Sequence, residues 1–206
     1  GIDDFLIEEG GRLGEVYGYK LDGFYTTEDF TWDNGWKLKE GRVNPTESGM
    51  KVNNFGPGSP KLKANADGKI EKERLGNTIP KITGGFGINA RYKSFDLSAF
   101  FYGVNGIDVN TYAVKSETDF WSINDVRSNK GTRLLNAWSP SNPNSDIPAI
   151  TALNENDEGR LSTYFIENGS FLKLDNLTVG YQFNMEKVKE IGQLRLYVTG
   201  QNLFTI

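Results

Sequence analysis

The sequence predicts an all-β chain of antiparallel strands from a large transmembrane β-barrel, and three observations predict it. The first is alternation: Ile82, Gly84, Phe86, Ile88, Ala90 and Tyr92 share one parity, while Thr83, Gly85, Gly87, Asn89 and Arg91 take the other. Side chains alternate faces along a strand, so one face is apolar and the other polar. The second is length, since a tilted strand crosses a bilayer with roughly 9 to 11 residues and each arm of the hairpins at 81–104 and 170–206 is about that long. The third is the asymmetry of the connections. Short turns alternate with long polar segments, as they do around a barrel wall whose short turns and long loops lie on opposite sides of the membrane.

Gly10–Asp22 is the first strand candidate, with Val16, Tyr17, Tyr19 and Leu21 in a glycine-rich setting. A long segment, 23–80, follows and carries the turn clusters Trp32-Asp33-Asn34-Gly35-Trp36, Gly56-Pro57-Gly58-Ser59-Pro60 and Ala66-Asp67-Gly68-Lys69. The hairpin 81–104 turns around Lys93 and Ser94 and returns with Phe95, Leu97, Ala99 and Phe101 on one face. A second long segment, 105–167, offers partial helical spacing between Asp119 and Asn136. It continues into Trp138-Ser139-Pro140-Ser141-Asn142-Pro143, which proline excludes from an interior strand. In the hairpin 170–206, Leu172 and Leu174 share one parity but Leu177, Val179, Tyr181 and Phe183 share the other. A bulge at Asp175 or Asn176 reconciles the two halves. The turn at 184–193 has room for one helical turn, and Leu194, Leu196 and Val198 then oppose Arg195, Tyr197 and Thr199.

Five such strands do not close a barrel, for which about eight is the practical minimum. The expectation is therefore one fragment, 1–206, of a larger barrel, with 23–80 and 105–167 as external loops. The mean hydropathy of −0.51 is compatible with this, because a barrel wall has one polar face and polar loops. No stretch approaches the 18 apolar residues of a membrane helix.

Composition excludes several function classes. With 206 residues, no cysteine, no histidine and a net charge of −4, the chain lacks thiolate and imidazole metal ligands, Ser-His and Cys-His pairs and disulfides. Its basic residues are scattered among acids, which argues against nucleic-acid binding. Adjacent carboxylates such as Asp3 and Asp4 point to opposite faces of a strand and make poor acid–base partners. Asn168-Gly169-Ser170 and Asn176-Leu177-Thr178 fit the glycosylation pattern by chance. Gly84-Gly85-Phe86-Gly87 precedes strand residues, not the helix that a phosphate-cradling loop opens. No enzyme activity and no cofactor are expected.

The ordered set Asp22-Gly23-Phe24-Tyr25, Pro80-Lys81 with its hairpin through Tyr92-Lys93-Ser94-Phe95-Asp96, Trp138-Ser139-Pro140 with Asn142-Pro143, Gly169-Ser170-Phe171-Leu172-Lys173-Leu174, and Gly200-Gln201-Asn202-Leu203-Phe204 resembles the C-terminal part of SusC/RagA-type TonB-linked outer-membrane proteins of Bacteroidetes. That resemblance implies a plugged barrel of about 22 strands in the bacterial outer membrane that imports oligosaccharides or, in some members, peptides. It also implies a SusD-like surface lipoprotein as lid and TonB as energy-coupling partner through parts outside this chain. Membrane lipid is the remaining partner. Family members often carry a calcium-like loop before the first hairpin. Here Lys63 stands at its first ligand position and the oxygens from Asn65 to Glu73 are too few for a Ca²⁺ cage.

Trp32, Trp36 and Trp121 are the candidate ligand-binding residues, because aromatic faces suit stacking on sugar rings. The alternative for them is packing within loops or at the membrane interface, and Trp138 is expected to anchor a loop. A soluble β-rich glycan-binding or adhesion module is the other function class the alternation admits. Such a sandwich shows short strands every 8 to 12 residues or so, unlike the spacing here.

Overall fold

The computed structural model describes residues 4–50, 55–119, 129–150, 160–185 and 192–206. The chain divides into two compact units, Ile79–Asp108 with Asn168–Ile206, and Gly1–Thr78 with Val109–Glu167. No helix among the described residues is long and apolar enough to cross a membrane.

The first unit is a four-stranded antiparallel sheet. Its strands are Ile82–Tyr92, Phe95–Asn105, Phe171–Phe183 and Leu194–Thr205, of 11, 11, 13 and 12 residues, and their order in space follows their order in sequence. The first two are joined through Tyr92 opposite Phe95, with Lys93 in the left-handed region at φ 54°. The expected bulge is present: the ladder of the third strand shifts between Leu174 and Asn176 against both neighbours. Opposite it the fourth strand takes up a further residue, with Asn202 at φ 50°, a conformation that asparagine tolerates better than most residues.

The second unit contains short elements around small cores. Phe5–Leu6, Glu15–Gly18 and Glu73–Asn77 form a three-stranded sheet; Leu21–Phe24 pairs with Pro60–Leu62, and Phe30–Trp32 with Trp36–Leu38. Val16, Leu161 and Phe165 make one core, against which Leu75, Tyr112, Tyr164 and Ile166 pack, while Met50 and Ile70 make another with Tyr19, Val43 and Phe55. Gly18 allows the first core to close, because a Cβ there would lie 2.5 Å from the Leu161 carbonyl oxygen.

One expectation is corrected here. Gly10–Asp22 does not join the long sheet; its Glu15–Gly18 strand pairs with Phe5–Leu6 and Glu73–Asn77. Alternation over four residues serves a small core as well as a wall, and the buried Val16 meets Leu161 and Phe165. The short helix expected near Asp119–Asn136 is present at the far end of that range, as a 3-10 helix at Thr132–Asn136 with Leu134 buried; a separate helix, Tyr112–Thr118, comes before it and ends as Asp119 turns inward, while residues 120–128 lie outside the described residues. The helical turn expected at 184–193 falls largely on 186–191, also outside them.

Candidate functional site

The sheet has two chemically distinct faces. Directly opposed residues in a ladder share a face, so the register groups Phe86 with Phe101, Ile88 with Ala99 and Leu177, Leu97 with Ala90 and Val179, and Val198 with Val179. The bulge brings Leu172 and Leu174 onto this same face, opposite Gly103 and Phe101. Phe86 and Phe101 stack at 4.8 Å. At the short-turn end, Phe95 meets Tyr181 edge-on at 4.7 Å and Tyr181 meets Phe183 at 4.8 Å, beside Tyr92. An outward apolar band ending in an aromatic girdle is what a lipid-facing barrel surface needs at the headgroup level.

The opposite face is polar and built around missing side chains. Arg195 donates to Asp96 through Nε at 2.9 Å and Nη2 at 2.5 Å, reaching over Gly180, where a Cβ would lie 2.5 Å from Arg195. Arg91 donates to Gln182 at 2.9 Å, and the Thr178 and Thr199 hydroxyls are 2.9 Å apart. Phe100 lies across Gly85, whose Cβ would stand 2.7 Å from the ring. Charge pairs and hydroxyls of this kind belong on the wet side of a barrel strand.

The aromatic candidates sit in the other unit. Trp32 and Trp36 face each other across the hairpin Phe30–Trp32/Trp36–Leu38, with ring centroids 5.1 Å apart and planes at 75°. The Asp33-Asn34-Gly35 turn folds this tip, with Asn34 at φ 52° and Lys37 paired to Asp33. Trp36 is anchored, packing on Phe30 at 6.1 Å and against Gly56, and Phe30 in turn meets Tyr25 and Phe55. Trp32 is 68% exposed and Trp36 45% exposed, so the pair presents rings to solvent from a supported base. Trp121 lies outside the described residues. Trp138 is buried; its ring covers Gly58, and its amide donates to Ile147 at 2.9 Å. It therefore packs as a loop anchor.

A buried polar cluster escaped the sequence reading. Asp119, essentially without exposed surface, accepts from the Tyr164 hydroxyl at 2.7 Å and the Thr118 hydroxyl at 2.8 Å, and its other partner is Arg133 at 3.1 Å. Burial and the neighbouring carboxylate push the Tyr164 hydroxyl well above the ordinary tyrosine range, so it acts as a donor. Lys115 donates to the Tyr164 carbonyl at 2.6 Å and pairs with Glu167 at 2.9 Å, holding the Glu167 carboxyl below its usual range. Burial likewise raises Tyr25, whose hydroxyl donates to the Val43 carbonyl at 2.6 Å. No sequence signal pairs Asp119 with Tyr164 across 45 residues. In the 63–73 turn, Asn65 uses its own side chain to accept from Asp67 and Lys69 amides, both at 3.0 Å. Among the described residues no cluster of three or more His, Cys, Asp or Glu is arranged to hold a metal.

No protein-family model matches the chain. It is 31% identical over 207 residues to TonB-dependent receptor P3 of Formosa agariphila, an alignment covering 97% of this chain and 18% of that protein. It is 29% identical over 218 residues to TonB-dependent receptor SusC of Bacteroides thetaiotaomicron, covering 98% of this chain and 19% of SusC. Among solved structures, the RagAB peptide transporter aligns with a TM-score of 0.60 at 23% identity, over 93% of this chain and 19% of that one. The RagAB peptide importer in its closed-closed state aligns with a TM-score of 0.55 at 25% identity, with the same coverage. The chain thus spans under a fifth of the length of its curated relatives P3 and SusC.

Proposed function

We propose that the chain, a barrel segment of the SusC/RagA type of TonB-dependent receptor, supplies wall and external loops to an outer-membrane importer of oligosaccharides. The observation that carries the reading is the two-faced sheet: an apolar band with an aromatic girdle on one side, and Asp96, Arg195, Arg91 and Thr178 on the other. A soluble sandwich buries its apolar face against a second sheet, whereas here Phe86, Ile88, Leu196 and Val198 are exposed. In this reading 23–80 and 105–167 form external loops, and Trp32 and Trp36 stack on sugar rings. The segment does no chemistry on the substrate. A SusD-like lipoprotein serves as lid for the whole receptor and TonB supplies the energy.

A peptide substrate is the second reading, and it rests on the fold likeness to RagAB, whose name specifies peptide transport. The two are separated by growth and binding. Deleting the gene of the whole receptor is expected to abolish growth on one oligosaccharide while growth on monosaccharides persists. The double variant Trp32→Ala/Trp36→Ala is expected to weaken binding of that oligosaccharide by about tenfold, or ~1.4 kcal/mol. Loss of growth on peptides alone selects the second reading. An unchanged nutrient profile, or isolation of the whole receptor without a surface lipoprotein, returns weight to the soluble binding module.

A further inference from the structure

We propose that the apolar face of the sheet holds one acyl chain of a bilayer lipid in a trough at the end remote from the short turns; this rests on the wall assignment and not on what the receptor imports. The ladder defines the rows. Gly84, Gly103, Leu172 and Ile206 lie side by side across the four strands, and Leu172 and Ile206 exchange amide-to-carbonyl hydrogen bonds at 2.9 Å. One step toward the turns, Phe86, Phe101, Leu174 and Phe204 form a taller row. The two glycines thus leave a hollow beside large side chains. It measures about 460 Å³, inside the range of roughly 300–1,000 Å³ usual for small-ligand sites, with Ile82, Leu172 and Ile206 as its apolar lining. Leu172 leans over Gly103, where a Cβ would stand 3.2 Å from its Cδ1, while nothing stands within 4 Å of a Cβ at Gly84.

The depth of the trough selects the occupant. Tyr92 and Gly84 are eight positions apart on one strand, about 27 Å at roughly 3.4 Å per residue. At a tilt near 40° that is about 21 Å of height within an apolar band about 25 Å tall. The trough therefore lies just inside the far edge of the hydrocarbon, continuous with the lipid-facing band. Barrels carry aromatic girdles at both interfaces. Here the short-turn end has Tyr92, Phe95 and Tyr181, whereas the row near the other end has glycines. The rim is polar. Asn105 stands opposite Ile82, and Ser170 accepts the Gly106 amide at 3.0 Å, which leaves its hydroxyl hydrogen to donate outward. Carbonyl oxygens at the head of an acyl chain are acceptors at that level, so the chain lies along the glycines and its carbonyl meets Asn105 and Ser170.

The test is native mass spectrometry of the whole receptor released from lipid nanodiscs, with heat-modifiable gel mobility as the check on folding. One lipid per receptor is expected to survive release. Gly84→Leu fills the trough where there is room for a side chain, and it is expected to cut lipid occupancy at least tenfold. Ala90→Leu enlarges the same face near the short turns and is expected to leave occupancy unchanged. Asn105→Leu with Ser170→Ala keeps the hollow but removes the rim donors, and is expected to lower occupancy several-fold. No retained lipid, equal retention in Gly84→Leu, or equal loss in Ala90→Leu overturns the proposal and leaves the wall assignment standing. A receptor dimer that Gly84→Leu splits, with no lipid in either form, assigns the trough to a second copy and also overturns it.

Discussion

In the long sheet, Phe86 and Phe101 stack on a face that the chain itself leaves open, whereas in the loop unit Phe165 has no exposed surface and packs against Val16 and Leu161. The same ring serves two solvents. The sheet holds its shape by continuous ladders between adjacent strands and leaves its apolar face to lipid, while the loop unit buries a few large side chains under irregular backbone and fixes them with point contacts. Damage should therefore be graded by medium in the sheet and by cavity in the loop unit.

The largest expected effect is in the loop unit. Phe165→Ala removes a fully buried ring, and such truncations cost about 3–5 kcal/mol where the site cannot collapse. Limited proteolysis of the whole receptor should then cut within 1–78 and 109–167 while the barrel keeps its heat-modifiable mobility. Simultaneous loss of the barrel would show that the two regions do not fail separately.

Next is the face assignment of the sheet. Ile88→Arg places a cation on the apolar face and should cost on the order of 2–4 kcal/mol near the bilayer midplane, whereas Asn89→Arg, one residue on, should be tolerated. Denaturant titration of the receptor folded into lipid vesicles measures both. Equal penalties would sink the assignment of Phe86, Ile88, Leu97, Phe101, Leu177, Val179, Leu196 and Val198 to the lipid side.

The same contrast explains what could be read in advance. Alternation exposes any single-residue insertion, because one extra residue inverts every side chain beyond it. This is why the bulge at Leu174 to Asn176 was visible as a change of parity. The fourth strand absorbs two extra residues relative to the second, and an even number leaves parity unbroken, so the left-handed Asn202 left no trace in the pattern. In the loop unit there is no period to read. Turn clusters marked the Trp32/Trp36 tip, but the burial of Asp119 beside Tyr164 and Arg133 depends on contacts between distant segments that no local rule encodes. Glu15–Gly18 misled for the complementary reason, since four alternating residues carry too little length to distinguish a wall strand from a core strand.

A smaller effect separates backbone strain from crowding. Gly58 and Gly68 both adopt positive φ, 85° and 79°, but a Cβ at Gly58 would lie 2.5 Å from both Trp138 and Ala149, whereas nothing is near Gly68. Alanine at either position pays the left-handed strain of about 1–2 kcal/mol. Gly58→Ala must also displace the Trp138 ring, so protease resistance should fall further than in Gly68→Ala and tryptophan emission should shift to longer wavelength. Equal behaviour of the two variants would remove Trp138 as the anchor.

The smallest effect depends on pH. Lys115 donates to Glu167 at 2.9 Å and holds its carboxyl below the ordinary range, but Glu167 is half-exposed, so solvent screening keeps the pair's worth to about 1 kcal/mol or less. A carboxyl whose folded pKa lies below its unfolded value contributes fully above the unfolded pKa and loses that contribution as pH falls through the folded one. Glu167→Gln should therefore slightly increase proteolysis of the loop unit at neutral pH, and the difference from the unsubstituted protein should vanish below the usual glutamate range. A difference that persists in acid would mean that Glu167 acts by packing and not by charge. High salt supplies an independent check, since screening at neutral pH should shrink the same difference while leaving the cost of Phe165→Ala in place.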